Sequence, residues 1–307
     1  MHLGHSFKNF FQKRSRFPKF KNKHGKQAIS YPQRVKIDGN KIYLPKIGWI
    51  KVILHREVTG KIKTVTVSRN GTGKYYASVL TETEETIPNP IKHLQKVIGI
   101  DVGRSRFVTD SKGHTIENPR FLQTATKNLR SKPKNLSRKC KGSKNRTKAR
   151  IQVAKVHEKI SNARNDFHHK KSKILADENQ AVGIEDVHIR GMQKNRKVAK
   201  SVSDASWGGF LQKLTYKLIR QGKHLVQIGR YTASSKECSE CNYKMQEMPL
   251  SIRRWSCPNC RTEHDRDHNA AKRILQEAIL KVKADGHTVS AWSEACVRLE
   301  WLRRDKQ

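Results

Sequence analysis

Acidic residues are scarce in this sequence. Only 26 Asp and Glu stand against 65 Lys and Arg in 307 residues, a formal charge of +39. That imbalance implies a polyanionic partner, with nucleic acid the default and an anionic membrane surface the rival. Long apolar runs are missing too: no stretch of about 18 apolar residues is present to span a bilayer. The opening Met1-His-Leu-Gly-His-Ser lacks the apolar centre of a secretory leader. Aromatics are only 7% of residues, which predicts few exposed stacking platforms. Of six cysteines, Cys140 and Cys296 stand without a CxxC partner, so a reducing, intracellular setting is expected rather than a disulfide scaffold. The length allows two small domains, each with a core.

Acids are absent altogether from residues 1–27, where Phe7, Phe10, Phe11, Phe17 and Phe20 alternate with basic residues. Phe7, Phe10 and Phe11 have helical spacing, ended by Pro18, which suits a helix docked on a core or a basic groove wall. Residues 34–82 read as β. Val35-Lys-Ile37 and Lys41-Ile-Tyr-Leu44 flank the turn Asp38-Gly39-Asn40, then come Ile47–Leu54, Lys61–Val67 and Tyr75–Leu80. A small antiparallel barrel or sheet with a lysine-studded face is expected, and the bias of charge favours nucleic-acid binding. Residues 83–96 read as a linker. Lys127 to Arg150 holds eleven basic residues and no acid, a run that favours phosphate contact. Val153, Val156, Ile160, Ala163, Phe167 and Ile174 then fall at heptad-like spacing and predict a helical hairpin with this stripe as core or seam. Ser203 or Ser206 is placed to cap a helix bearing Phe210, Leu214 and Leu218, which Gly222 closes.

The most specific pattern is Cys238-Ser-Glu-Cys241, fifteen residues, then Cys257-Pro-Asn-Cys260. Paired CxxC units at this spacing predict a zinc ribbon. Four thiolates fill a tetrahedron, so the single Zn2+ is structural, its surplus negative charge offset by Lys236, Lys244, Arg253, Arg254 and Arg261. Two short apolar strands each end in a carboxylate, Val-Ile-Gly-Ile-Asp101 and Ala-Val-Gly-Ile-Glu185. A third acid, Asp267 or its neighbour Asp265, opens a helix just past the ribbon. Singly, each acid reads as a turn or cap residue; Glu185 has Asp186 beside it, and strand alternation leaves its face undecided. Together, the order strand–acid, hairpin, helices, strand–acid, helix, strand, ribbon, acid–helix matches an RNase H-like fold. Oxygen-only ligands suit Mg2+ or Mn2+, and two such ions hold the attacking water and leaving oxygen of a phosphodiester in line.

These residues resemble the TnpB family, the OrfB-type proteins of insertion sequences. The resemblance is carried by VIGIDVG at 97–103, ENPRFL at 117–122, AVGIEDVHIRGM at 181–192, SDASWG at 203–208, SSKECSEC at 234–241 and SCPNCRTEHDRDHNAAKRI at 256–274, with DGNKIYLPKIGWI at 38–50 resembling the family's barrel segment. It implies an α+β protein: a RuvC-like (RNase H-like) nuclease domain with an inserted zinc ribbon, preceded by an antiparallel β-barrel-like domain. Its expected boundaries are a basic helical region at 1–33, the β domain at 34–90, the nuclease domain at 95–230 with its basic hairpin at 127–176, the ribbon at 231–263, the third acid and its helix at 264–285, and a tail at 286–307. It implies Asp101, Glu185 and Asp267 as the catalytic, Mg2+-binding acids, which selects Glu185 over Asp186 and Asp267 over Asp265. Cys238, Cys241, Cys257 and Cys260 are implied as the zinc ligands. The implied activity is RNA-guided cleavage of double-stranded DNA in the cytoplasm, at the nucleoid, with a guide RNA from the transposon end and no membrane partner. The chain resembles a family member shortened at its N-terminus, so an RNA-guided binder that no longer cleaves is the alternative, and a zinc-ribbon nucleic-acid binder without a guide the third.

Overall fold

The computed structural model describes residues 2–19, 22, 25, 27–229, 235–249 and 251–290. The chain divides into two compact units, one of residues 1–85 and 132–155, the other of residues 86–131 and 156–307. Phe20, Cys296, Trp292 and Trp301, which the sequence reading singled out, lie outside the described residues.

The first unit opens with α1 (His2–Phe11). Its Phe7 and Phe10 rings pack edge-on against Phe17 at 5.7 and 5.3 Å. Six short strands follow: β1 (Gln27–Tyr31), β2 (Lys36–Asp38), β3 (Lys41–Leu44), β4 (Gly48–Lys51), β5 (Lys61–Arg69) and β6 (Tyr75–Glu82). They form two antiparallel three-stranded sheets, β1-β5-β6 and β2-β3-β4. Ile42, Leu44 and Val65 are buried between their apolar faces, with Val67 and Val79 packed alongside. β1 lies ahead of residue 34, where alternation first became legible, because Gln27-Ala-Ile-Ser-Tyr31 is paired residue by residue with β5 rather than with its chain neighbours. The few exposed aromatics that the composition predicts include three on these sheets. Trp49, Tyr75 and Tyr76 are 51%, 69% and 48% exposed. Composition counts rings but does not say which face of a two-layer sheet they occupy.

The second unit is built on a five-stranded sheet. After the strap β7 (His93–Leu94) come β8 (Val97–Asp101), β9 (Arg106–Asp110) and β10 (Thr115–Glu117), then the helices α2 (Phe121–Thr124), α3 (Thr126–Ser137) and α4 (Lys144–Glu178), the last two assigned to the first unit over residues 132–155. The chain continues as β11 (Ala181–Glu185), α5 (Ile189–Lys194), α6 (Ala199–Ala205), α7 (Trp207–Arg220) and β12 (His224–Ile228). β13 (Arg254–Ser256) and β14 (Glu263–Asp265) form a ribbon, α8 (Arg266–Ala284) follows, and β15 (Thr288–Val289) pairs with β7 across the expected linker. Strand order in the sheet is β10-β9-β8-β11-β12, antiparallel as far as β8 and parallel from β8 to β12.

Strand alternation divides this sheet cleanly. Ile98, Ile100, Val182 and Ile184 face a core made with Leu175 and Ala176 of α4, Val202 of α6, and Trp207, Phe210 and Leu214 of α7. Val97 and Ala181 face the other way, against Leu275, Ile279 and Val282 of α8. Gly99 and Gly183 are directly paired across β8 and β11. A Cβ on Gly99 would lie 2.3 Å from Ala271 O, and one on Gly183 would lie 2.6 Å from Ala278 Cβ. These two glycines let α8 sit close on the sheet. Residues 101 and 185, two further along each strand, share that face.

The heptad stripe on α4 is partly corrected. Ile160 is buried, but Ile174 is 45% exposed, and the core face runs instead through His168, Ser172, Leu175 and Ala176 to Asn179 just past the helix end. Three of those five are polar, so a search for apolar periodicity passes over them. His168 Nε2 donates to Ala205 O at 3.0 Å, its ring lies 5.6 Å from Phe107, and burial pushes its pKa down to about 4. Ser203 lies within α6, and Ser206 sits at the N-cap of α7 with φ 52° and no side-chain capping bond. Gly222, at φ +64°, follows the last turn of α7. Among the described residues, no helix is long and apolar enough to cross a membrane.

Candidate active site and metal centre

β8 and β11 are parallel neighbours, so Asp101 and Glu185 leave the same end of the sheet on the α8 side. Asp267 is the second residue of α8 and is 9% exposed. The charges of both Asp267 and Glu185 act on Asp101. Burial, then the charges of Asp267 and Glu185, raise its pKa to about 7, against a smaller opposing influence of Arg266. Carboxylates that press their charges on one another ionise less readily unless a cation is present. The donor set is oxygen only, which fits Mg2+ or Mn2+ rather than a thiophilic metal.

The neighbouring acids are engaged elsewhere. Asp265 is the N-cap of α8, its carboxylate accepting His268 N–H at 3.2 Å and two bonds from Arg106 Nη1 at 2.9 and 3.0 Å. Asp186 accepts from Gln227 Nε2 at 3.0 Å. Two arginines on Asp267 escaped the sequence reading. Arg253 Nη1 lies 3.1 Å from one carboxylate oxygen and Arg106 Nη1 3.9 Å from the other. The sequence assigns Arg253 to charge compensation for the cysteines; the structure places its guanidinium at the helix mouth. A run of Arg253-Arg254 inside a basic chain carries no signal of which guanidinium finds a partner. Arg266 is buried and donates to Pro249 O at 3.0 Å, tying the loop between the two cysteine pairs to the start of α8.

The ligand atoms of Cys238, Cys241, Cys257 and Cys260 all lie within 4.8 Å of one another. Sγ–Sγ separations are 3.6 Å for Cys238–Cys260 and 3.5 Å for Cys241–Cys257. A disulfide needs about 2.05 Å. A tetrahedron of bonds of about 2.3 Å sets sulfurs about 3.8 Å apart, so the group could hold a zinc ion. Both knuckles are built alike. Asn242 N–H donates to Cys238 O at 3.0 Å and Arg261 N–H to Cys257 O at 2.8 Å. Asn242 and Arg261 each take the left-handed conformation, φ 60° and 64°. Burial pushes the Cys238 thiol up, as expected for sulfur in apolar surroundings. His264 Nε2 lies 3.1 Å from Cys238 Sγ and its ring packs on Trp255 at 4.7 Å. As an N–H donor it would spread the charge of a metal-bound thiolate. Groups in this position commonly govern metal affinity by about 10–100-fold. His264→Phe is therefore expected to speed zinc release by that order, read by transfer to a chromogenic chelator. An unchanged rate would leave His264 as packing for Trp255 alone.

Comparison with known proteins places the sequence by family and by fold. Residues 78–196 match a family model described as "Probable transposase" (OrfB of IS605), and residues 207–274 match the "Cas12f1-like, TNB domain" model. A Streptomyces pristinaespiralis protein named "Putative RNA-guided DNA endonuclease" is 38% identical over 282 residues, 89% of this chain and 68% of that protein. The Escherichia coli K12 protein named "Putative RNA-guided DNA endonuclease InsQ" is 34% identical over 310 residues, 95% of this chain and 74% of its own length. Among solved structures, the Cas12f1–sgRNA–target DNA complex aligns with a TM-score of 0.55 at 16% identity, covering 89% of this chain and 69% of that one. That likeness is one of fold.

Proposed function

Because this chain belongs to the IS605 OrfB (TnpB) family, we propose that it is an RNA-guided DNA endonuclease whose second unit is a RuvC-like, RNase H-like nuclease core carrying a zinc ribbon. The observation that supports this most directly is Asp101 at the end of β8, on the face that α8 covers, where burial and the charges of Asp267 and Glu185 raise its pKa to about 7.

In this reading Asp101, Glu185 and Asp267 hold the divalent cations. Mg2+ or Mn2+ bound there supplies a nucleophilic water and stabilises the leaving 3′ oxygen of a phosphodiester. The protein's own part is positioning. β8 and β11 fix two carboxylates at a common strand end, and the first turn of α8 brings the third. Arg253, half exposed and 3.1 Å from Asp267, is free to turn toward a phosphate once a cation takes its place on the carboxylate. Elsewhere the basic surfaces meet nucleic-acid backbone. The eleven basic residues from Lys127 to Arg150 lie on α3, the start of α4 and the loop between them. Such contacts give affinity without sequence, so base pairing by a bound guide RNA supplies specificity. On this view the protein acts in the cytoplasm, with the guide drawn from the transposon end.

Co-expression of the chain with its flanking DNA, sequencing of the bound RNA, and incubation of the complex with a matching plasmid and Mg2+ test the reading. A defined RNA and guide-matched cleavage are expected. A defined RNA with binding but no cleavage would make this a guided binding protein. Equal affinity for any RNA would remove the guide from the account.

A further inference from the structure

Beyond Asp267, α8 carries a second set of polar side chains. Asn269, Lys272, Arg273 and Gln276 fall at i, i+3, i+4 and i+7, one stripe of the helix. Asn269, Arg273 and Gln276 are 1%, 7% and 5% exposed. Buried polar groups destabilise a fold unless they are bonded, so their partners carry information. All four reach the first cysteine knuckle. Asn269 Nδ2 donates to Glu237 O at 2.8 Å, and its Oδ1 accepts Ser239 N–H at 2.9 Å. Gln276 Nε2 donates to Ser239 O at 2.8 Å. Arg273 donates to Asn242 Oδ1 at 2.6 Å and meets the Glu237 carboxylate at 3.1 Å. Lys272 Nζ donates to Glu240 at 2.9 Å. These bonds grip both residues flanking Cys238 and the residue after Cys241.

We infer that Asn269, Arg273 and Gln276 are positioning residues that join the first knuckle and the opening turns of α8 into one cooperative unit, so that zinc at the cysteines orders the turn bearing Asp267. The knuckle is held through both backbone groups of Ser239, the residue beside the first ligand, and Asn269 is two residues from Asp267. The effect on cleavage rests on the nuclease reading; the coupling itself does not. It is reciprocal, so loosening the stripe also weakens zinc retention.

Hydrogen exchange on the full zinc-loaded chain, before and after addition of a strong zinc chelator, tests this. Chelation is expected to speed exchange of the amides of residues 268–273 by about tenfold, the scale of one lost net hydrogen bond, while β8 and β11 stay protected. In the N269A/Q276A double variant those amides should exchange fast before chelation, or zinc should leave faster; either supports the clamp. Unchanged exchange at 268–273 on chelation overturns the inference. So does loss of protection in β8 and β11 together with α8, because the effect would then be general unfolding. With zinc bound, the double variant should also need more Mg2+ for half-maximal cleavage, with little change in the rate at saturation. If exchange is coupled but neither protein cleaves, the nuclease reading fails and the positioning role stands.

Discussion

Asp101→Asn is expected to reduce guided DNA cleavage to background and, in EDTA, to raise the melting temperature above pH 7. The two effects share one cause. Asp101 is half-buried, and Asp267 and Glu185 press their charges on it, so its pKa stands at about 7 against an ordinary 3.8. Between those values the folded chain binds a proton that the unfolded chain releases. Stability without divalent cations therefore falls as pH rises from about 4 to 7 and is flat beyond. Three pKa units correspond to at most about 4 kcal/mol, less where the exposed edge of the carboxyl is screened by water. Asparagine keeps the shape and removes the charge, so the slope should flatten and the melting temperature at pH 8 rise by several degrees. Saturating Mg2+ should flatten the wild-type slope as well, because the ionised form is then held by its ligand. Proton release on binding also predicts that Mg2+ affinity at pH 6 is about tenfold below that at pH 8. Melting curves from pH 5 to 8, with and without Mg2+, and a plasmid assay check all of this. A D101N protein that cleaves normally, or melts lower than wild type in EDTA at pH 8, would remove Asp101 from the acid cluster.

The elements that bear these acids are legible in part from the sequence alone. Val97–Asp101 and Ala181–Glu185 were read as acid-tipped strands because strands buried on both faces are continuous apolar runs, and both are strands of the central sheet. The paired CxxC units were legible because ligand spacing is set by knuckle geometry, which is local. What could not be read was pairwise choice. Asp265 and Asp267 stand two residues apart, and that Asp265 takes the N-cap and the closer bonds of Arg106, 159 residues away in sequence, leaves no mark in the spacing. The salt link from Arg253 to Asp267 and the grip of Asn269 on Ser239 are equally remote from any pattern of spacing. The core face of α4 was misread for another reason: His168, Ser172 and Asn179 satisfy their polar atoms inside the fold, and His168 and Asn179 reach backbone carbonyls. Hydropathy does not register a buried polar group that has found its partner.

Gly99→Ala should inactivate the protein although residue 99 touches no reacting group. Its added Cβ would stand 2.3 Å from Ala271 O, 2.4 Å from Leu275 N and 2.9 Å from Leu275 Cα, all of them backbone atoms. Backbone cannot rotate aside as a side chain can, so either α8 lifts from the sheet or β8 bends. Overpacking of this kind costs about 1–3 kcal/mol, and more where the obstruction is main chain. Gly183→Ala meets a methyl group, Ala278 Cβ at 2.6 Å, and should do less harm when paired with Ala278→Gly, which removes the nearest obstacle and leaves Ile274 O at 3.2 Å. Such rescue is not open to Gly99. Gly4→Ala is the control: it lies in α1, its Cβ would meet nothing within 4 Å, and it should be neutral or stabilising. The glycines matter to chemistry through parity. Residues 99 and 101 face α8 together, as do 183 and 185, so the gap left by each missing Cβ sets how near the helix comes to the acids. A shift of α8 by about 1 Å at Gly99 displaces Asp267 from Asp101 by a similar amount, enough to cost about 10²-fold in a positioned reaction. A Gly99→Ala protein that melts normally and cleaves normally would show that α8 does not need this close approach, and that Asp267 is placed by the ribbon alone.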